Sequence, residues 1–276
     1  MSAPAILEVR ELHKIFERSG LPGRSERRVH AVRGVSLSMR RGVTLGIVGE
    51  SGSGKSTLAR AILQLDPASE GSVFFDGRDV TGIHGREAAA YRRRVQIVFQ
   101  DPNSALDPRW RVERSIEEAL RLRGLPREER SNRVDELLEL VGIAAERRRD
   151  YPHQFSGGQK QRIVIARALA VEPELIVLDE PVSSLDVSIQ AQILNLLQRI
   201  KAEFSLSYLF ISHDLNLVGY FCDEIGVMRR GELVELAPTE TLLSAPRHEY
   251  TKALFGASPH FEDKRVVTHD FTRRKR

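Results

Sequence analysis

Cysteine is nearly absent from these 276 residues: Cys222 stands alone. One thiol cannot close an internal disulfide, and it cannot build a cysteine-ligated metal or iron–sulfur centre. Long apolar runs are missing as well. The longest, Leu175–Leu178 and Ile163–Ala166, fall far short of the roughly 18 residues a membrane-spanning helix requires. The N-terminus, MSAPAILEVR, has no basic start leading into an apolar stretch, so no secretory signal is expected and the cytosol is the expected compartment. Charge of one sign is in short supply too, the net value being +4. The basic runs Arg92–Arg94, Arg147–Arg149 and Arg273–Arg276 read first as solvated helix faces and an unstructured tail. Contact with nucleic acid or anionic lipid is the competing reading.

What is present describes an ordinary globular protein, 41% hydrophobic and 29% charged. Short apolar segments recur along the chain: Ile6–Val9, Val32–Leu37, Leu45–Val48, Val73–Phe75, Val95–Phe99, Leu175–Leu178, Tyr208–Ile211 and Ile225–Met228. From Leu45 onward they are near-continuous, as expected for strands buried on both faces of a sheet. Helical patterns lie between several of them, at Ser56–Gln64, Ile189–Phe204 and Leu215–Phe221. This alternation predicts an α/β core with parallel strands. The stretch from about 101 to 170 breaks the rhythm, with helical patterns at Glu113–Arg123, Glu128–Val141 and Gly158–Ala170 and no convincing strand. It reads as a helical block inserted into the core. After Leu236 come three prolines and a short helical pattern at Glu249–Leu254.

The chemistry begins at Gly49-Glu50-Ser51-Gly52-Ser53-Gly54-Lys55-Ser56-Thr57. An apolar strand precedes this loop and a helix follows, the context a phosphate-binding loop demands. Glycines let backbone amides converge on phosphate without obstruction, and the helix N-terminus adds a fixed positive dipole. Lys55 is expected on the β- and γ-phosphates and the Ser56 hydroxyl on Mg²⁺, so ATP with Mg²⁺ is the expected ligand.

Hydrolysis needs a second metal anchor and a base. Leu175-Ile176-Val177-Leu178-Asp179-Glu180 offers both at one strand end: Asp179 for Mg²⁺ and Glu180 for the attacking water. His213, after Tyr208–Ile211, reads either as a structural strand-end histidine or as a γ-phosphate sensor at the nucleotide edge of a parallel sheet. Gln100, after Val95–Phe99, is a candidate contact to Mg²⁺ or the attacking water.

Phe155-Ser156-Gly157-Gly158-Gln159 resembles the signature sequence of ATP-binding cassette (ABC) ATPases, with Phe155 where Leu is usual. The order of motifs is also similar: cradle, Gln100, signature, Asp179-Glu180, Ser184-Leu185-Asp186, His213. The resemblance implies a P-loop ABC ATPase core sheet, an N-terminal antiparallel β subdomain and an α-helical subdomain over about 101–170. It places the nucleotide-binding domain at 1–236 and a C-terminal extension with a basic tail at 237–276. Two cassettes are implied to pack head to tail, so that Ser156, Gly157, Gly158, Gln159 and Asp186 would act on a nucleotide held by the partner. Phe16 falls where the family stacks an aromatic ring on adenine; the insertion Glu17–Arg28 lies beside it.

Two segments resemble the ATPases of dipeptide, oligopeptide and nickel importers: Gln100–Arg109 and Pro246–Leu254. Asn103 and Asp107 depart from that branch, where an aromatic and an asparagine are usual. Asp101–Arg111, with Trp110, reads as a docking lip for a membrane subunit, or Trp110 is buried in the helical subdomain. The implied protein is a peripheral ATPase on the cytosolic face of a bacterial inner membrane, powering uptake of di- or oligopeptides. Its implied partners are two membrane permease subunits, an extracytoplasmic substrate-binding protein and a second cassette, identical or related. Nickel or another small solute of the same branch is the alternative cargo. A soluble ABC ATPase working on DNA or the ribosome, or a module that binds nucleotide without turnover, are the other classes. No nucleic acid partner is expected.

Overall fold

The computed structural model describes residues 5–18 and 27–256. The chain opens with two long strands, β1 (Ala5–Arg18) and β2 (Arg27–Arg40), paired antiparallel as a hairpin. Next come β3 (Thr44–Val48), helix α1 (Lys55–Ile62), β4 (Glu70–Phe75) and β5 (Arg78–Asp79). Helix α2 (Gly85–Arg94) leads into β6 (Val95–Val98). Four helices then come without a strand: α3 (Pro102–Ala105), α4 (Val112–Arg123), α5 (Arg127–Leu140) and α6 (Gly157–Leu169). The α/β rhythm resumes with β7 (Leu175–Asp179), α7 (Val187–Phe204), β8 (Ser207–Ile211), α8 (Leu215–Phe221) and β9 (Glu224–Arg229). The described chain ends with β10 (Glu232–Pro238), α9 (Thr239–Ser244) and α10 (Glu249–Gly256).

Two sheets form. One is antiparallel, in the order β2-β1-β4-β5; the other runs β10-β9-β3-β8-β7-β6 and is parallel apart from β10. The apolar runs in β3, β7 and β8 are explained by what covers their two faces. Ile176, Leu178, Tyr208 and Phe210 enter a core shared with the helices from α4 onward. Leu175, Val177, Leu209 and Ile211 alternate with them and enter a second core, beneath the antiparallel sheet and α1. Side chains on a strand alternate faces, so a strand with two covered faces reads as unbroken hydrophobicity. Each such Leu, Ile or Phe, fully withdrawn from water, stabilises the fold by about 1.5–3 kcal/mol.

Val73–Phe75 departs from the parallel-strand expectation. It lies in β4, antiparallel to β1, and its burial alternates: Val73 and Phe75 are buried while Phe74 is only partly so. Neither β10 nor α2 is predicted by the sequence pattern. β10 is an edge strand with no buried residue, and half of α2 is charged with only Ala88 and Tyr91 buried, so hydrophobic periodicity signals neither. Residues 17 and 28 pair across the first hairpin, so the two ends of Glu17–Arg28 continue β1 and β2.

Arg92, Arg93 and Arg149 stay exposed, as solvated faces would have it, while Arg94, Arg147 and Arg148 turn partly inward. Arg94 and Arg41 both grip Glu174 and Asp76, linking the end of α2 to the turns after β2 and β4 and to the residue before β7. Arg148 bridges Glu113 of α4 and Asp135 of α5, while Arg147 pairs with Asp150 and covers the Phe155 ring at 4.0 Å. Residues Arg273–Arg276 lie outside the described residues. Among the described residues no helix is long and apolar enough to cross a membrane.

Candidate functional site

The C-terminal ends of the parallel strands β3, β7 and β8 meet at one edge, where open α/β sheets bind their ligands. Gly49–Gly54 leaves β3 there and turns into α1. Gly49 has φ +152° and an added Cβ would sit 2.1 Å from the Met228 carbonyl; at Gly54, φ +105°, the clash is 2.3 Å from the Ala31 carbonyl. Only glycine fits either place. The loop wraps a cleft of about 390 Å³, which Ser51, Gly52, Gly54, Lys55, Ser56 and Thr57 line.

Lys55 is buried, and its ammonium donates to the carbonyls of Gly49 (2.8 Å) and Glu50 (2.9 Å). Burial lowers its pKa, opposed by the charges of Glu180 and Asp179. Ser56 Oγ donates to Asp179 Oδ1 at 2.9 Å, joining the loop to the end of β7. Burial raises the Asp179 pKa; the Ser56 hydroxyl opposes that, and neighbouring Glu180 adds to it. Ser53 Oγ is buried with no hydrogen-bond partner among the described residues, an unused polar atom inside the cradle.

Glu180 takes a left-handed φ of +50°, unusual for a side chain-bearing residue and a mark of backbone held against its preference. Its amide donates to the Ile211 carbonyl at 2.9 Å, which fixes the turn against β8. The side chain lines the cleft, and its Oε1 lies 3.1 Å from His213 Nδ1. That contact requires the Nδ1 proton to point at the carboxylate. The Ser56–Asp179 and Glu180–His213 pairs are thus joined through the adjacent residues Asp179 and Glu180, with Lys55 next to Ser56 in the loop.

Other candidates are placed elsewhere. Gln100 is exposed just past β6 and does not line the cleft. Phe16, 39% exposed, lies opposite Val29 in the β1–β2 hairpin; Val29 is a cleft wall and Phe16 is not. Ser156 caps α6 through a reciprocal pair with Gln159, each backbone amide donating to the other's side chain. An added Cβ at Gly158 would meet Ile189 Cγ2 at 2.5 Å, so glycine here lets α6 approach α7. Asp186 is exposed at the start of α7. None of these reaches the cleft of its own chain. Trp110 is partly buried, with the Arg114 guanidinium 4.2 Å above its ring.

The cleft also has walls that no motif announced: His30 and Arg33 of β2, and Arg230 and Gly231 in the turn from β9 to β10. Both turn residues have positive φ, as a two-residue hairpin turn requires. Gly231 donates to the Ser53 carbonyl and accepts from the Arg33 amide, each at 2.8 Å, pinning the hairpin to the phosphate loop. The signal was Gly231 between the apolar β9 and β10, obscured because Glu232 and Glu235 interrupt the apolar pattern of β10. His30 Nε2 lies 3.1 Å from His13 Nδ1.

A cradle, a strand-end acid pair and a histidine on a parallel sheet define a P-loop nucleotide site. The family profile described as ABC transporter matches residues 32–183, and the chain belongs to that family. It is 50% identical to the oligopeptide transport ATP-binding protein OppF of Bacillus subtilis, over 86% of this chain and 80% of that one. It is 46% identical to the dipeptide transport ATP-binding protein DppF of Lactococcus lactis, over 92% and 81% respectively. Among solved structures, cbiO1 from Clostridium perfringens, part of the ABC transporter complex cbiONQ, superposes with a TM-score of 0.74 at 29% identity, covering 87% of this chain and 91% of that one. The cassette MJ0796, as a dimer bound to ADP and Pi, gives 0.72 at 29% identity, covering 84% and 98%.

Proposed function

We propose that this chain is the ATP-hydrolysing subunit of a peptide importer. The observation that carries the chemistry is the connected group Lys55, Ser56–Asp179 and Glu180–His213 at the strand ends. Lys55, now held by loop carbonyls, is the cation that turns to the β- and γ-phosphates. Glu180 is the base: its carboxylate takes a proton from the attacking water, while His213 Nδ1–H orients it. Ser56 Oγ and the Asp179 carboxylate suit Mg²⁺, a hard cation that prefers oxygen donors. Among the described residues no three His, Cys, Asp or Glu side chains could hold a metal by themselves, so phosphate and water would complete the shell. When bound, the ion neutralises charge developing on the phosphates.

Peptide cargo is inferred from the names of the relatives, which cover most of the chain. The reading assigns 1–236 to the cassette, with its helical part at about 101–170, and 237–276 to an extension. Its working partners are two membrane permeases, an extracytoplasmic substrate-binding protein and a second cassette, with the chain peripheral on the cytosolic face. Ser156, Gly157, Gly158, Gln159 and Asp186 would then complete the partner's site. The α6 N-terminus supports this, since the first-turn amides of Gly157 and Gly158, outside the Ser156–Gln159 cap, and the helix dipole favour an anion. Phe16 is assigned to adenine stacking and Gln100 to Mg²⁺ or the water.

Glu180→Gln tests the base. ATP affinity is expected within about threefold of the parent and turnover reduced at least about 100-fold, in the range for losing a general base. Equilibrium ATP binding and phosphate release measure the two. Parent-like turnover would remove Glu180 from that role.

A further inference from the structure

The C-terminal helix α10 reaches back to the phosphate loop. Tyr250 is buried, and its hydroxyl accepts a hydrogen bond from the Glu50 amide at 3.3 Å. That N–H and the Gly49 carbonyl belong to one peptide unit, and the Gly49 carbonyl accepts from Lys55 Nζ at 2.8 Å. Both ends of the first peptide of the cradle are therefore held: one by the phosphate-seeking lysine, the other by a tyrosine 200 residues along the chain. The Tyr250 ring is itself fixed, lying 4.8 Å beneath the Arg229 guanidinium at the end of β9. The start of α10 is anchored by Glu235 of β10, whose carboxylate accepts from the amides of Arg247 (2.8 Å) and His248 (3.0 Å). His248 Nδ1 accepts in turn from the Tyr250 amide at 3.1 Å.

We propose that Tyr250 is a positioning residue for nucleotide binding: its hydroxyl holds the amide end of the Gly49–Glu50 peptide, while Lys55, which holds the carbonyl end, also serves phosphate. The proposal rests on the phosphate-loop reading of Gly49–Thr57. Lys55 has three N–H donors and gives two of them to loop carbonyls, so one is left for phosphate and any further phosphate contact is drawn from the loop. The amide end then depends on Tyr250. Without the hydroxyl this peptide is held at its carbonyl end only, and nucleotide must order it further on binding, a cost that falls on affinity rather than on chemistry. The C-terminal segment thereby gains a direct line to ATP affinity, through α10, Glu235 and β10.

The test uses the full-length chain with Mg-ATP as the probe. Tyr250→Phe keeps the ring and the Arg229 contact and removes only the oxygen. KM and the equilibrium Kd for ATP are expected to rise about fivefold, the equivalent of one neutral hydrogen bond, with kcat within about twofold. The thermal midpoint is expected within a few degrees of the parent. Glu235→Ala loosens the α10 anchor without touching the loop and is expected to raise KM in the same direction. Unchanged or tighter ATP affinity in Tyr250→Phe overturns the proposal, as does a fall in kcat with KM unmoved. Lys55→Ala is the reference. If it binds ATP like the parent, the phosphate-loop reading fails; if it loses binding while Tyr250→Phe does not, only the role of Tyr250 fails.

Discussion

At Gly157 and Gly158 two adjacent, chemically identical residues face different surroundings. A Cβ on Gly157 would rest 3.4 Å from Leu185 Cδ2, an ordinary contact; one on Gly158 would be driven to 2.5 Å from Ile189 Cγ2. Ile189 is β-branched and stiff at χ1, so it cannot step aside cheaply. Gly158→Ala is therefore expected to cost about 1–3 kcal/mol, the range for overpacking. Gly157→Ala, at the first helical position and with room to spare, should stay within about 1 kcal/mol of the parent, because alanine favours helix. Denaturant unfolding of the two variants makes the comparison. The signature motif was legible as a pattern, but which glycine is sterically obligatory was not, since Ile189 lies in a different helix, beyond β7.

Elements are tied by charge where apolar packing ends. Arg94 and Arg41 meet Glu174 and Asp76 between the two sheets. Hydrogen bonding from Arg94 is the main force that holds the Glu174 carboxyl below its ordinary value of 4.5; partial burial opposes it and Arg41 assists. Arg94 likewise lowers Asp76 from 3.8. A carboxyl depressed in the folded state stabilises the fold above its unfolded pKa, and that contribution disappears as pH falls through the folded value. The network's contribution should thus be full above about pH 5, begin to weaken near the unfolded values, and be lost only as pH falls through the lower folded values. Because these groups are partly in water, Glu174→Gln is expected to cost only about 1 kcal/mol at pH 7. Its stability curve should also be flatter on the acid side, as urea unfolding at neutral and acid pH would show. The runs containing Arg94 and Arg148 looked like solvated faces because their acidic partners are distant in sequence.

For the whole molecule, the cleft holds Lys55, Ser56 and Glu180 of its own chain, whereas Ser156 and Asp186 lie outside it. Under the proposed function a second cassette supplies the missing wall. Glu180→Gln, which binds ATP without consuming it, should elute from a sizing column at twice the parent's mass in ATP and as a single chain in ADP. A variant that stays monomeric in ATP places the second wall on a different cassette subunit.

Sequence alone determined the features that local spacing and periodicity dictate. The phosphate loop lies between strand and helix, the acid pair ends a buried strand, and the helical block falls between β6 and β7, because each is written in consecutive residues. The tertiary structure decided everything that joins distant segments. It set Glu180 against His213, made Arg94 and Arg148 ties between elements, closed the cleft with the β9–β10 turn, and brought Tyr250 to Glu50. Such contacts depend on how two sheets and their helices stack, and no window of neighbouring residues contains that arrangement.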